Sequence, residues 1–103
     1  MPRFSWRWEA RPSLTHGYHG SFVLRHGTFD NLASVLIASE RSGAVVALVG
    51  WYWVTCEAPD LGIKSRGGRH NAVGTSDEAK AAALAYVREC LEKAGIVKPR
   101  RQT

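Results

Sequence analysis

The last third of the chain constrains the fold most strongly, because it has the pattern of one capped amphipathic helix. Thr75 is followed three residues later by Glu78, the spacing of a capping box that satisfies two free N–H groups at a helix start. Gly95 suits the left-handed residue that ends a helix. We therefore expect a helix over about residues 76–94. Apolar residues at steps of three and four predict its buried face: Ala79, Ala83, Tyr86, Val87, Cys90, Leu91 and Ala94.

The N-terminal residues alternate between apolar and polar, which predicts a strand with one buried face. The apolar positions are Phe4, Trp6, Trp8 and Ala10. Residues 11–20 contain Pro12, Gly17 and Gly20 and are expected to form a loop. A short second strand is expected over residues 21–26, followed by a turn at 27–31.

Residues 32–40 are ambiguous, since their apolar positions fit a helical face and a strand face. We favour a strand, because Arg41-Ser42-Gly43 resembles a hairpin turn and a β-rich run follows it over residues 44–56. A helix over residues 31–42 is the alternative.

The run over residues 44–56 is apolar at both parities, so we expect it to be a central strand covered on both faces or a strand that presents aromatics to a partner. Residues 58–74 are rich in glycine and are expected to be mostly loop, with a short strand near Ile63. The predicted fold class is α+β: a small, hairpin-rich antiparallel sheet of three to five strands, packed by one C-terminal helix. Residues 1–97 are expected to form one domain, and residues 98–103 a basic flexible tail.

Composition indicates a folded chain, since 45% of the residues are hydrophobic and 22% are charged. No apolar run has the length of a signal peptide, and the longest apolar stretch, residues 44–54, is too short to cross a bilayer. We therefore expect no membrane association and a cytoplasmic location. In that compartment Cys56 and Cys90 are expected to be reduced, buried thiols.

The formal net charge of +5 makes a polyanionic partner plausible. Lys64, Arg66 and Arg69 surround Gly67 and Gly68, so that the backbone there has room to approach a phosphate while guanidinium groups bind it. The alternative for this loop is a solvated, mobile turn. Further basic clusters occur in the tail, at Lys98, Arg100 and Arg101, and around the first strand, at Arg3, Arg7 and Arg11.

Trp51, Tyr52 and Trp53 are consecutive, so a strand places their rings on both of its faces. Exposed rings beside arginines stack on the bases of single-stranded nucleic acid. The alternative is that these large side chains build the core of a small domain.

Catalytic motifs are absent from the sequence: it has no nucleophile elbow, no H-E-x-x-H and no G-x-G-x-x-G after a strand. His16 and His19 have no cysteine or carboxylate at a recognised metal-binding spacing. We expect a protein that is not an enzyme and that needs neither metal nor cofactor.

The run Gly50-Trp51-Tyr52-Trp53-Val54, followed by Glu78-Ala79-Lys80 and Ala85-Tyr86-Val87-Arg88, resembles small uncharacterised proteins of phages and prophages. In those proteins an aromatic strand precedes an E-A-K helix. The resemblance covers roughly the second half of the chain. It implies an accessory protein of a mobile element, acting in the cytoplasm of a bacterial host, and brings no known site residues.

Val73-Gly74-Thr75, Glu78-Ala79, Ala82-Ala83 and Ala85-Tyr86 resemble a second group: the three-strand-plus-helix DNA-binding domains of plant ethylene-response factors and of recombinase arm-binding domains. The strand motifs of that group are not matched. The resemblance implies a sheet that enters the major groove. The nearest counterparts of its DNA-contacting residues are Trp51, Trp53, Lys64, Arg66 and Arg69.

The sequence thus leads to a first hypothesis of an accessory protein that binds DNA or RNA through its basic loop and tail. The predicted nucleic-acid-binding residues are Lys64, Arg66, Arg69, Lys98, Arg100, Arg101, Trp51 and Trp53. The alternative is a protein-binding module, such as an inhibitor of a host defence machine, that uses an aromatic sheet face. A homodimer that covers the same face is compatible with either.

Overall fold

The computed structural model describes residues 3–10, 20–42 and 45–98. It has the predicted α+β fold, in which one antiparallel sheet packs against a C-terminal helix. Two 3-10 turns, at Pro59–Leu61 and Arg69–Asn71, flank the last strand. The strands are β1 (Phe4–Ala10), β2 (Gly20–His26), β3 (Phe29–Ser42), β4 (Val45–Thr55) and β5 (Arg66–Gly67), and the helix is α1 (Ser76–Lys93).

The five strands form a meander, since their order across the sheet is their order along the chain. Trp8 pairs with Phe22 in the first hairpin, and Val35 pairs with both Phe22 and Trp53. Residues 32–40 belong to β3, so the strand prediction is confirmed and the helical alternative is wrong. The local pattern of this segment fits a helix or a strand. Pairing with β2 on one side and β4 on the other satisfies the backbone hydrogen-bonding groups along both edges of β3, and this favours the strand.

The helix begins at Ser76, where the sequence predicts, and ends at Lys93, one residue before the predicted end. The Thr75 hydroxyl oxygen accepts a hydrogen bond from the Glu78 N–H at 3.1 Å, and the same hydroxyl donates to the Glu78 carboxylate at 3.2 Å. The second bond of the predicted capping box is therefore made to the threonine side chain instead of its N–H. At the other end Gly95 is left-handed, with φ of 76°, and the Ile96 N–H donates to the Leu91 carbonyl at 2.9 Å.

One face of α1 is buried against β3 and β4. Tyr86 is half-buried at the border of this face. Ala94 is exposed, so its predicted burial is wrong, because the helix ends at Lys93 and Ala94 follows it. The small alanines of the buried face allow the helix backbone to approach the sheet closely. The buried residues are Ala79, Ala83, Val87, Cys90 and Leu91.

The core lies between α1 and the sheet. Leu24 of β2, Leu32 of β3, Ile63 and Leu91 are at most 3% exposed and belong to one cluster. On β2, Ser21 and Val23 alternate with the side chains that face α1 and are equally buried. β2 is therefore buried on both of its faces, whereas Ser34 and Leu36 of β3 are only half-buried on the face that α1 leaves.

Both cysteines are free thiols, as predicted, and Cys90 is buried. Cys56 is exposed, which contradicts the prediction of a buried thiol. The reason is that β4 ends at Thr55, so Cys56 lies outside the sheet. Within the described residues, no helix has both the length and the apolar character needed to cross a membrane.

Candidate functional site

The segment that carries the predicted basic loop lies along the outer edge of β4. The Gly68 N–H donates to the Trp53 carbonyl at 3.1 Å, and Trp51 and Val73 exchange two backbone hydrogen bonds of 2.8 and 2.7 Å. The short strand expected near Ile63 lies instead at β5, while Ile63 makes only an isolated bridge to Ala58. Lys64 and Arg66 thus stand on an ordered margin of the sheet, which we call the basic edge.

Two hydroxyl groups hold the backbone of the basic edge in place. Thr55 Oγ1 donates to the Lys64 carbonyl at 2.7 Å and accepts from the Arg66 N–H at 3.1 Å. Tyr86 Oη accepts from the Lys64 N–H at 3.0 Å. Because Thr55 belongs to β4 and Tyr86 to α1, two separate elements position the basic edge.

Gly67 allows this segment to lie close to β4. Its φ is 87°, and a Cβ at this position would run into the Trp53 carbonyl oxygen. A residue with a side chain would be strained here and would also displace the segment. The sequence pattern pointed to a backbone approach to phosphate, whereas the structure uses this glycine for an approach to the neighbouring strand.

The charged side chains of the basic edge are exposed. The guanidinium carbon of Arg66 lies 5.1 Å from the centre of the Tyr86 ring, within the range of a cation–π contact. Neither Lys64 nor Arg66 forms an ion pair with any carboxylate of the described residues. The ion pairs within that part of the chain are Arg7–Glu9, Arg7–Asp30 and Lys93–Glu89.

An open groove of about 710 Å³ runs between the basic edge and the second half of α1. Its charged walls carry both signs, since Asp60, Glu89 and Lys93 line it together with Lys64 and Arg66. Lys93 and Glu89 are hydrogen-bonded at 3.0 Å, and this bond raises the pKa of Lys93. Because these two charges offset each other and Asp60 offsets one more, the groove carries one net positive charge, contributed by Lys64 and Arg66.

Within the described residues, no contact brings the other predicted basic residues to the basic edge. Arg69 opens the 3-10 turn that follows β5, and its side chain lies outside the described residues. Lys98 is exposed beyond the end of α1. Arg100 and Arg101 lie outside the described residues.

Trp51 and Trp53 are half-buried on the sheet face that α1 covers. The Trp53 ring lies 5.9 Å from the Tyr86 ring, and the Trp51 ring lies 5.9 Å from the Phe22 ring. Trp53 also packs against the core cluster. These contacts fit the alternative in which both tryptophans build the domain, and they leave less ring surface for the predicted stacking on bases.

The sequence pattern placed Trp8 on the buried face of the first strand, and this is wrong: its exposure of 48% exceeds that of every other large hydrophobic residue in the described part of the chain. It also missed two cations that α1 holds over rings: Lys80 over Phe22 and Arg88 over Phe4. The alternating pattern treats Trp6 and Trp8 alike, whereas in the structure Trp6 packs against the core and Trp8 is exposed.

Among the described residues, no group of three or more His, Cys, Asp or Glu side chains is arranged to hold a metal ion. His16 and His19, considered above as metal ligands, lie outside the described residues. Comparison of the chain with protein-family models, with curated proteins and with solved structures finds no match.

Proposed function

We propose that this chain is a small, non-enzymatic, nucleic-acid-binding accessory protein of the kind that phages and mobile elements encode, and that the basic edge holds phosphate. The proposal rests on the exposure and the available charge of Lys64 and Arg66. Both are exposed on an ordered segment and have no carboxylate partner among the described residues. The resemblance of the W-Y-W strand and E-A-K helix to phage proteins supports the accessory role.

The anchoring of the basic edge favours anion binding over a role in solubility alone. A guanidinium group gives two parallel hydrogen bonds to a phosphate, and the contact is more favourable when the backbone behind it is already fixed. The hydroxyl groups of Thr55 and Tyr86 provide that fixation. Lys98, Arg100 and Arg101 would add salt-sensitive affinity from the tail.

A protein-binding module, with or without homodimer formation, is the competing function. It would use the aromatic side chains of β4 as an interface. The half-buried state of Trp51 and Trp53, each against another ring, makes those rings less available to a partner. We therefore place nucleic acid first and treat salt-tolerant binding to a protein as the outcome that would reverse the order.

The test is fluorescence anisotropy of labelled single- and double-stranded DNA and RNA at low and near-physiological salt. Arg66→Ala should weaken binding and lower the slope of log K against log salt by about 0.7 to 0.9, the value of one lost phosphate contact. Arg25→Ala is the matched control, since Arg25 is also exposed but lies on β2, with β3 and β4 between it and the basic edge.

Equal effects of Arg66→Ala and Arg25→Ala would mean that only net charge matters, and the assignment of the basic edge would be wrong. Loss of all binding at near-physiological salt would remove the proposed function itself.

A further inference from the structure

A second surface, which combines two cations of α1 with one exposed aromatic ring of the sheet, lies on the opposite flank of α1 from the basic edge. Its centre is Trp8, which packs edge-on against Phe22 with ring centres 4.9 Å apart. The ammonium group of Lys80 lies 3.6 Å from the centre of the Phe22 ring. The indole of Trp8 lies directly on the backbone at Gly20, where a Cβ would collide with it. One side of the indole is thus covered, while 48% of the residue remains exposed.

A second contact between a cation of α1 and an aromatic ring of the sheet lies further along the helix. The guanidinium carbon of Arg88 lies 4.9 Å from the centre of the Phe4 ring. Lys80 and Arg88 are eight residues apart on α1, a rise of about 12 Å. Trp8 and Phe4 are four residues apart on β1, a span of about 13 Å. The two spacings match, so cations from α1 and rings from the sheet run side by side.

We propose that this surface, the Trp8 track, binds single-stranded nucleic acid, with one base stacked on Trp8 and phosphates held by Lys80 and Arg88. The proposal rests on the nucleic-acid-binding function proposed above and names its substrate class and a second contact surface. The Trp8 track consists of Trp8, Phe22, Lys80, Arg88 and Phe4.

The choice of a single strand follows from the chemistry of the track. Stacking on an exposed indole needs a base face that is free, and in a duplex both faces of each internal base are already stacked. Neither Lys80 nor Arg88 forms an ion pair with a carboxylate of the described residues, so their charge is available to phosphate. A protein partner would gain from the ring but would not require two cations in a row.

Carboxylates on α1 oppose this use of the surface: Asp77 near Lys80, and Glu92 four residues after Arg88. Asp77 is exposed in the first turn of α1, three residues before Lys80. Glu78 lies in the same turn, but its carboxylate is bonded to Thr75 in the helix cap. The Asp77 charge should therefore weaken phosphate binding at the Lys80 end of the track, which provides a test in the direction of tighter binding.

The first test is substitution of Trp8, with single-strand affinity measured at near-physiological salt. Trp8→Leu keeps apolar cover over Gly20 and removes the aromatic face. It should weaken binding about 5- to 150-fold, the range for one lost base stack. Trp8→Phe should recover part of the affinity and should lose the quenching of tryptophan emission that stacking causes. Phe29→Leu is the control, because Phe29 is also an exposed aromatic residue, with 36% of its surface accessible, and it lies at the start of β3, outside the track.

The second test changes charge on α1. For a single strand, Lys80→Ala and Arg88→Ala should each reduce the magnitude of the slope of log K against log salt by about 0.7. Arg25→Ala is the control, since it removes one positive charge from an exposed residue of β2 that belongs to neither surface. Asp77→Asn should tighten binding. Circular dichroism and thermal unfolding show which variants keep the fold, and Asp77→Asn tests the track even where Trp8→Leu does not fold.

The outcomes separate this inference from the function on which it rests. Wild-type affinity in Trp8→Leu together with weaker binding in Arg66→Ala would overturn the Trp8 track and leave the basic edge in place. Preference of the protein for duplex over single strands would also overturn the track. Absence of nucleic-acid binding at near-physiological salt would overturn both proposals.

Discussion

Gly67→Ala should detach the basic edge from β4. Any residue other than glycine is strained at the φ of 87° found here, at a cost of about 1 to 2 kcal/mol. The new Cβ would also run into the Trp53 carbonyl oxygen, so the segment would move away. That movement breaks the 3.1 Å bond from the Gly68 N–H to the same carbonyl, worth about 0.5 to 1.5 kcal/mol.

Together these losses lower the free energy of unfolding by about 1.5 to 3.5 kcal/mol. Urea unfolding followed by tryptophan emission measures this loss directly, because Trp53 lies against the displaced segment. In a domain of this size the midpoint of thermal unfolding should fall by about 6 to 28 °C. Hydrogen exchange should show faster exchange at the Gly68 N–H than in the wild-type protein.

Gly74→Ala is the matched control. Gly74 lacks a positive φ, and the nearest atom to a Cβ there is Glu78 Oε1 at 3.9 Å. Its free energy of unfolding should be unchanged or raised by up to about 1 kcal/mol. If Gly67→Ala and Gly74→Ala proved equally stable, the argument that β4 imposes glycine at residue 67 would be refuted.

Two further predictions concern titration and thiol chemistry. The pKa of Asp30 should lie below the ordinary range, because its carboxylate accepts bonds from the Asn31 N–H and from Arg7. Arg7→Ala should raise this pKa only in part, since the Asn31 bond is the larger cause, and carboxyl NMR titration would contradict us if the value did not change. A lowered pKa stabilises the fold above the ordinary carboxyl range, and that contribution is lost as the pH falls through the folded value. In the native protein a thiol reagent should modify exposed Cys56 and spare buried Cys90, with both reacting in denaturant; equal native rates would contradict the packing of α1.

Local sequence signals predicted the parts of the fold that depend on local interactions. The helix start at Thr75 and its end before Gly95 follow from capping chemistry within one turn. The assignment of residues 32–40 needed the strands on either side, because the local pattern fitted two structures. The sequence did not predict that the basic edge is ordered, for the same reason. Its glycines are typical of a loop, and only hydrogen bonds to β4 make it a strand.

The candidate site was predicted only in part. Lys64 and Arg66 were identified from charge and are exposed, as an anion site requires. Trp8 was not, because its exposure depends on tertiary packing, and strand alternation carries no such information. Trp6 packs against the core while Trp8, two residues on, is nearly half exposed.

The meander order of the sheet bears on how the chain acquires its structure. Each strand pairs with the strand that precedes it, so each pairing closes only a short loop and loses little chain entropy. Docking of α1 on β3 closes a much longer loop, from the Phe29–Ser42 region to the Ser76–Lys93 region. Local pairings form faster than distant ones. Hairpin formation can therefore precede helix docking, and until α1 docks the Trp53 ring lacks the Tyr86 ring that lies beside it in the folded domain.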